Sequence, residues 1–317
     1  MGWSILIRIT VKETYRENTP RSGYGEKHCL WPQVETRCSA SLHNIKSTSC
    51  WSVSIEVLLT SVCGAQLSPP KSPGYDARCE EEGTNMSTKL IQLYQSPWSE
   101  RARWGFEFKG VSYEKEDYQI GVGEEALKKQ TGQAQVPVLL VDGQVIPDST
   151  AILNWLEEHK PQPALLPAVE KARAEVMMWE ELMDWVLGPQ GRLLILGRFL
   201  HSDNPQMQQG GQFMGQKYQY SEYAEKHARE AVGRILTILA HALASKDYLV
   251  GNTFTRADLT TASILAVVNP PPDDLFLVPA PVRAMFNEPL AQEQQFAPVF
   301  AWRDQIYRKH RGGPVKP

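Results

Sequence analysis

The pattern of apolar and polar positions divides the chain into three stretches. Up to residue 85 it shows no sustained period; only Ser52 to Gln66 reads as a strand or short helix, and Glu56 interrupts it. From Met86 the pattern is regular. Lys89 to Tyr94 alternates as a half-buried strand does. Ser96-Pro97 follows, with serine at an N-cap and proline at the first helical position. The spacing predicts a helix from Trp98 to Lys109 with Trp104 and Phe108 on one face, stopped by Gly110. Val111 to Tyr118 reads as a second strand, Glu124 to Gln130 as a short helix, and Val136 to Val141 as a buried strand. Asp142-Gly143 signals a hairpin turn with Gln144 to Ile146 as the returning strand. Asp148 to His159 is then a helix with Ile152, Trp155 and Leu156 inward. The order β-α-β-α-β-β-α predicts one four-stranded mixed sheet with helices on both sides. Pro137 stands at the start of its strand, where proline is tolerated and its peptide bond can be cis.

After Lys160-Pro161-Gln162-Pro163 the strand signals vanish. Ala172, Val176, Trp179, Met183 and Val186 recur at helical spacing, and Gly188-Pro189 is expected to end that run. Asn204 to Gly215 reads as a polar Gln/Gly loop. Ala228, Val232, Ile235, Leu239 and Ala242 form another stripe. Thr255-Arg256-Ala257-Asp258 resembles a capping box, with Phe254 and Leu259 at the staple positions, and its helix runs through Ile264 to Val268. Phe300 to His310 reads as a last helix. The expected fold class is therefore α/β followed by all-α: a four-stranded mixed-sheet domain over 86–160, a linker over 161–167 and a helical bundle over 168–317.

Composition adds limits. The 317 residues leave room for about two domains. A formal net charge of -3 argues against nucleic acid as partner. No window approaches the ~18 apolar residues of a membrane helix, so no membrane partner is expected. All five cysteines (Cys29, Cys38, Cys50, Cys63, Cys79) precede Met86, an odd count without a C-x-x-C pair. Residues 1–85 are expected to be a disordered extension or translated upstream sequence, with Met86 as the working start. A plastid or mitochondrial presequence is the alternative, although Glu13, Glu17, Glu26 and Glu35 are unusual in one. Without a presequence the location is cytoplasmic.

The regular part lacks a Gly-rich phosphate loop, H-E-x-x-H, G-x-S-x-G and any Cys/His cluster, and no metal is expected. Two helix starts carry chemistry. Ser96-Pro97-Trp98-Ser99 stands where backbone N–H groups and about half a positive charge stabilise an anion, a thiolate included. Pro147-Asp148-Ser149-Thr150 opens another helix with the same property. Capping of the helix ends accounts equally well for either motif alone.

Together these residues resemble a cytosolic-type glutathione S-transferase of the serine type. Ser96-Pro97-Trp98-Ser99 stands where thioredoxin and glutaredoxin relatives carry C-x-x-C. Val136-Pro137 is similar to the family's cis-proline motif, and Asp148-Ser149-Thr150-Ala151-Ile152 to its glutathione-anchoring signature. The stretch from Lys160 to Pro167 resembles the interdomain linker, and Thr255 to Asp258 the capping box of the buried helix. Glu100, Arg101, Ala102, Arg103 and Trp104 resemble a subgroup found in bacteria and photosynthetic organisms.

The resemblance implies a thioredoxin-like domain followed by a helical one. It implies glutathione as co-substrate, a small hydrophobic electrophile as second substrate, and a homodimer. Ser96 would stabilise the glutathione thiolate, with Ser99 as rival and Tyr94 as a distant third. Val136, beside Pro137, would pair its backbone with the cysteinyl part. Asp148 and Ser149 would hold the γ-glutamyl end. Gln133 or Gln135 would meet the glycyl carboxylate, where family members often carry a basic residue. Trp98 and Trp185 would line the electrophile site; Trp179, on its apolar stripe, reads rather as core. With no cysteine after Met86, a mixed disulfide on the enzyme is excluded there. Conjugation is the leading activity. The alternatives are a non-catalytic docking or dimerisation module of the same fold, and a glutathione-dependent isomerase or dehalogenase.

Overall fold

The computed structural model describes residues Leu6–Glu13, Trp51–Leu58 and 87–312. The chain divides into two units, Met1–Arg78 and Cys79–Pro317. In the first, β1 (Leu6–Glu13) and β2 (Trp51–Leu58) pair antiparallel, from Leu6 opposite Leu58 to Glu13 opposite Trp51. The segment expected as strand or short helix is thus a strand as far as Leu58. The disorder expected for the rest of residues 1–85 lies outside the described residues.

The second unit opens with a four-stranded mixed sheet. Its strands are β3 (Thr88–Gln92), β4 (Glu114–Asp117), β5 (Val138–Val141) and β6 (Gln144–Pro147), in the order β4-β3-β5-β6. β4 runs parallel to β3 and the other neighbours are antiparallel. Helix α1 (Pro97–Lys109) makes the crossover; α2 (Glu124–Thr131) precedes β5 and α3 (Ser149–His159) follows β6. Asp142 and Gly143 both take positive φ, 46° and 83°, as a two-residue hairpin of this twist requires. The buried residues Leu90, Leu139, Ile152, Leu153 and Leu156 join this layer to the main core.

The helical part comprises α4 (Glu170–Leu182), α5 (Gly188–Leu200), α6 (Pro205–Lys217), α7 (Glu222–Leu243), α8 (Arg256–Ile264), α9 (Ala280–Phe286) and α10 (Ala297–His310). Two expectations need correction. Gly188-Pro189 does not end its run. A proline inside a helix meets the carbonyl four residues back. Here Met183–Leu187 open into a π turn, and the Gly188 N–H bonds to the Met183 carbonyl, so α4 continues into α5. Nor is Asn204 to Gly215 a loop: it lies within α6. Asn204 caps that helix by accepting from Gln206 and Met207 N–H, and Pro205 starts it. A Cβ at Gly211 would stand 2.9 Å from the Leu200 nitrogen, so glycine there permits close packing on α5 rather than breaking the helix. Among the described residues no helix is long and apolar enough to cross a membrane.

Two buried polar clusters tie the layers together. Arg101 on α1, fully buried, donates to Glu180 and Asp184 at 2.6 Å each. Glu180 also accepts from Arg256 and Thr260, and Arg256 donates to Asn154. In the second cluster Glu100 accepts from Arg103 and from Arg311, which lies 211 residues further along the chain. Arg311 also pairs with Glu107. Burial pushes the Glu100 carboxyl up, but the two guanidinium groups outweigh it and hold its pKa below the ordinary value.

Asp258 accepts from the Thr255 and Leu249 N–H groups, the carboxylate side of the expected capping box. Burial is the larger effect on it and raises its pKa to about 6. The native state therefore holds this proton more tightly than the unfolded chain does. The corresponding stability is fully present below pH ~4 and is lost as pH rises through about 6. Denaturant unfolding of wild type and Asp258→Asn across this window is expected to show the difference between them changing from pH ~4 to ~6 and levelling above. Arg101→Met leaves the partly buried Asp184 without a cation and the buried Glu180 with Arg256 alone, and is expected to cost roughly 3–5 kcal/mol in the same assay.

Candidate functional site

The strand register gathers three of the motifs. Ile91 of β3 stands opposite Val138 of β5, and Val138 opposite Pro147 of β6. The stretch after β3, the Val136-Pro137 bond before β5 and Asp148-Ser149 after β6 therefore share one end of the sheet. Val136-Pro137 is cis. Arg101 adds a side-chain link between the two helix starts, approaching Ser149 Oγ at 3.3 Å.

The two serines of the first motif do different things. Ser96 is the N-cap residue of α1, with extended backbone (φ -78°, ψ 127°), yet its hydroxyl makes no capping bond. Its N–H bonds to the Leu93 carbonyl at 2.9 Å and its side of the helix start retains 9% exposure. Ser99 is fully buried, and its Oγ accepts from the Leu93 N–H at 3.1 Å. The Ser99 hydroxyl thus closes the strand end against α1. Tyr94 is partly buried, which raises its phenol pKa, and the Arg103 guanidinium lies 5.0 Å from its ring centroid.

At the second helix start Asp148 is exposed and accepts from the Ala151 N–H at 2.8 Å. Its backbone (φ 53°, ψ 162°) occupies a region that residues with a side chain seldom adopt, at a cost of about 1–3 kcal/mol. Ser149 is buried. Thr150 donates to Asp184, which also pairs with Arg101.

Of the glutamines, Gln135 is exposed, while the Gln133 side-chain nitrogen is buried with no partner among the described residues. A basic side chain reaches this stretch from elsewhere in the chain. Lys217, at the end of α6, donates to the Ala134 carbonyl at 2.8 Å and pairs with Glu124 at 3.0 Å. It could not be anticipated while that stretch read as a loop.

Trp98 packs against α5: a Cβ on Gly188 would fall 2.6 Å from its ring. One turn further along α5, the Arg192 guanidinium lies 4.5 Å from the Trp98 ring and 4.1 Å from that of Tyr218. Burial pushes the Arg192 pKa down, and Tyr218 partly offsets this. Trp185 is 74% exposed and makes no ring contact among the described residues; Trp179 is buried in the core. Among the described residues no group of three or more His, Cys, Asp or Glu could hold a metal ion.

Comparison with known proteins agrees with this fold. Residues 90–164 match the glutathione S-transferase N-terminal domain model, and residues 203–279 the C-terminal domain model. A probable maleylacetoacetate isomerase from Caenorhabditis elegans is 32% identical over 218 residues, covering 67% of this chain and 92% of that protein. A maleylpyruvate isomerase from Ralstonia sp is 41% identical over 91 residues, 28% of this chain and 43% of that protein. The fold is shared with a glutathione S-transferase from Methylobacillus flagellatus solved with glutathione bound. The TM-score is 0.53 and the identity 20%, over 72% of this chain and 100% of that one. With a thioredoxin-like sheet domain, a helical domain behind it and this set of matches, the chain belongs to the glutathione S-transferase family.

Proposed function

We propose that the protein is a glutathione transferase in which the Ser96 hydroxyl donates a hydrogen bond to the glutathione sulfur and holds it as thiolate. The observation that carries this reading is the difference between the serines: Ser99 is fully buried with its Oγ accepting from the Leu93 N–H, whereas Ser96 keeps some exposure and its hydroxyl does not cap its own helix. Val136 would pair its backbone with the cysteinyl unit. Asp148 and Ser149 would receive the γ-glutamyl end. Gln133, with Lys217 beside it and Gln135 at the rim, would meet the glycyl carboxylate. Trp98 would form a wall of the electrophile site.

The energetics are sufficient. A free thiol has a pKa of about 8.5, so only a few per cent is thiolate at pH 7. Lowering it by ~2 units takes about 2.7 kcal/mol. One hydrogen bond to a charged sulfur supplies roughly 1.5–3 kcal/mol. The α1 N-terminus adds roughly 0.3–1, and up to ~2 when partly buried. The thiolate then attacks an electrophile held nearby, and proximity supplies the remaining gain.

A second reading is a glutathione-dependent isomerase, favoured by the names of the two relatives above. In that case the thiolate adds to a conjugated double bond, the resulting single bond rotates, and elimination returns glutathione unchanged. Both readings use the same thiolate. For the assembly we favour a homodimer: Met177, Met178 and Trp185 stand exposed on α4 and the π turn, apolar area that a second copy would cover.

Conjugation of glutathione to a generic aryl halide tests the role of Ser96. Ser96→Ala is expected to lower kcat/KM roughly 10- to 100-fold, the worth of one charged hydrogen bond, with a raised pKa of bound glutathione. Ser99→Ala is expected to act on stability more than on that pKa; the reverse pattern would transfer the role to Ser99. Asp148→Asn keeps a capping oxygen but removes the charge. It is expected to weaken glutathione binding roughly 10-fold by calorimetry while altering unfolding by less than ~1 kcal/mol. Absence of glutathione binding in the wild type would favour the docking-module alternative.

A further inference from the structure

Arg192 is a cation without a counter-charge. It projects from α5 toward α1, and among the described residues no carboxylate pairs with it and no protein acceptor takes its N–H groups. The buried arginines differ: Arg101 has Glu180 and Asp184, Arg256 has Glu180, and Arg311 has Glu100 and Glu107. Lys217, at the end of α6, is matched by Glu124. The flanks of Arg192 are taken by the rings of Trp98 and Tyr218. Stacked between aromatic groups, a guanidinium keeps its in-plane N–H edge for recognition, and that fork fits a carboxylate in bidentate fashion. Trp98 is two residues beyond Ser96 on the same helix start. A molecule held by Arg192 would therefore lie alongside the sulfur assigned to Ser96.

We propose that Arg192 is a specificity-determining residue that binds a carboxylate on the second substrate, so that this protein prefers small anionic electrophiles, unsaturated or aryl carboxylates, over neutral ones. The inference rests on the reading of Ser96 as the thiolate site. It applies to conjugation and to isomerisation alike, because either needs an electrophilic carbon oriented toward the sulfur. Gly188 contributes by letting Trp98 lie flush against α5, which keeps the ring beside the guanidinium.

The test uses a matched pair, a chloro-dinitrobenzoate and its methyl ester, with the full chain. In each reaction the glutathione sulfur bonds to the ring carbon bearing chlorine. The carbon–chlorine bond breaks, chloride leaves with the electron pair, and the thiol proton passes to solvent. The wild type is expected to favour the acid over the ester in kcat/KM. Arg192→Met is expected to reduce that ratio roughly 10- to 100-fold, and Arg192→Lys to restore part of it. A ratio unchanged in Arg192→Met, or a wild type that favours the ester, overturns the proposal. Calorimetric binding of the benzoate without glutathione, wild type against Arg192→Met, separates the two claims. Loss of turnover with Arg192-dependent binding intact counts against the transferase reading alone; binding that ignores Arg192 counts against this one.

Discussion

The buried ion cluster around Arg101 governs the arrangement of the site. Its charges come from α1, α4, the π turn and α8, with polar partners on α3. Charges removed from water are costly unless they are paired. Here two carboxylates face two guanidinium groups and Thr150, Asn154 and Thr260 add further bonds, while Arg101 Nε and Asp184 Oδ1 stay buried with no partner among the described residues. No layer can slide without stranding one of these groups. The helix start that bears Ser96 and the one that bears Asp148 are thus held to the helical part through a common anchor.

The π turn at Met183–Leu187 belongs to the same arrangement. It supplies Asp184 to Arg101 and Thr150, and lets the helix pass Pro189 without interruption. The continuation, α5, then delivers Gly188 and Arg192 to Trp98. A helix that stopped at Gly188 would have kept the ion pair and lost the contact with Trp98.

Much of this was legible in the sequence because it is local. Strand alternation, the Asp142-Gly143 turn, the Ser96-Pro97 helix start and the Thr255–Asp258 box each depend on neighbours in the chain. Two local signals were misread: Gly188-Pro189 looked like a stop because the π turn that relieves it has no sequence mark of its own, and the glycines of α6 hid a helix whose start, Asn204-Pro205, was in plain view. What could not be read depends on distance. Whether a serine hydroxyl is free or occupied, as at Ser96 and Ser99, is decided by where the Leu93 N–H points. Lys217 and Arg192 meet Ala134 and Trp98 only because α6 and α5 fold back against the sheet domain. The backbone of Asp148 is imposed by its surroundings and contradicts the preference of its own residue type.

The bond between Glu100 and Arg311 places a demand on the order of biosynthesis. The sheet domain leaves the ribosome before the helical part, with the Glu100 carboxylate on the same helix whose start bears Ser96. Its second guanidinium partner is made 211 residues later, a delay of roughly 10 to 40 s at ordinary elongation rates. Until then the carboxylate, in the first turn of that helix, has Arg103 alone. A nascent chain therefore cannot hold α1 in finished form before Arg311 has been made, and a message that stops short of Arg311 leaves that helix permanently one partner short.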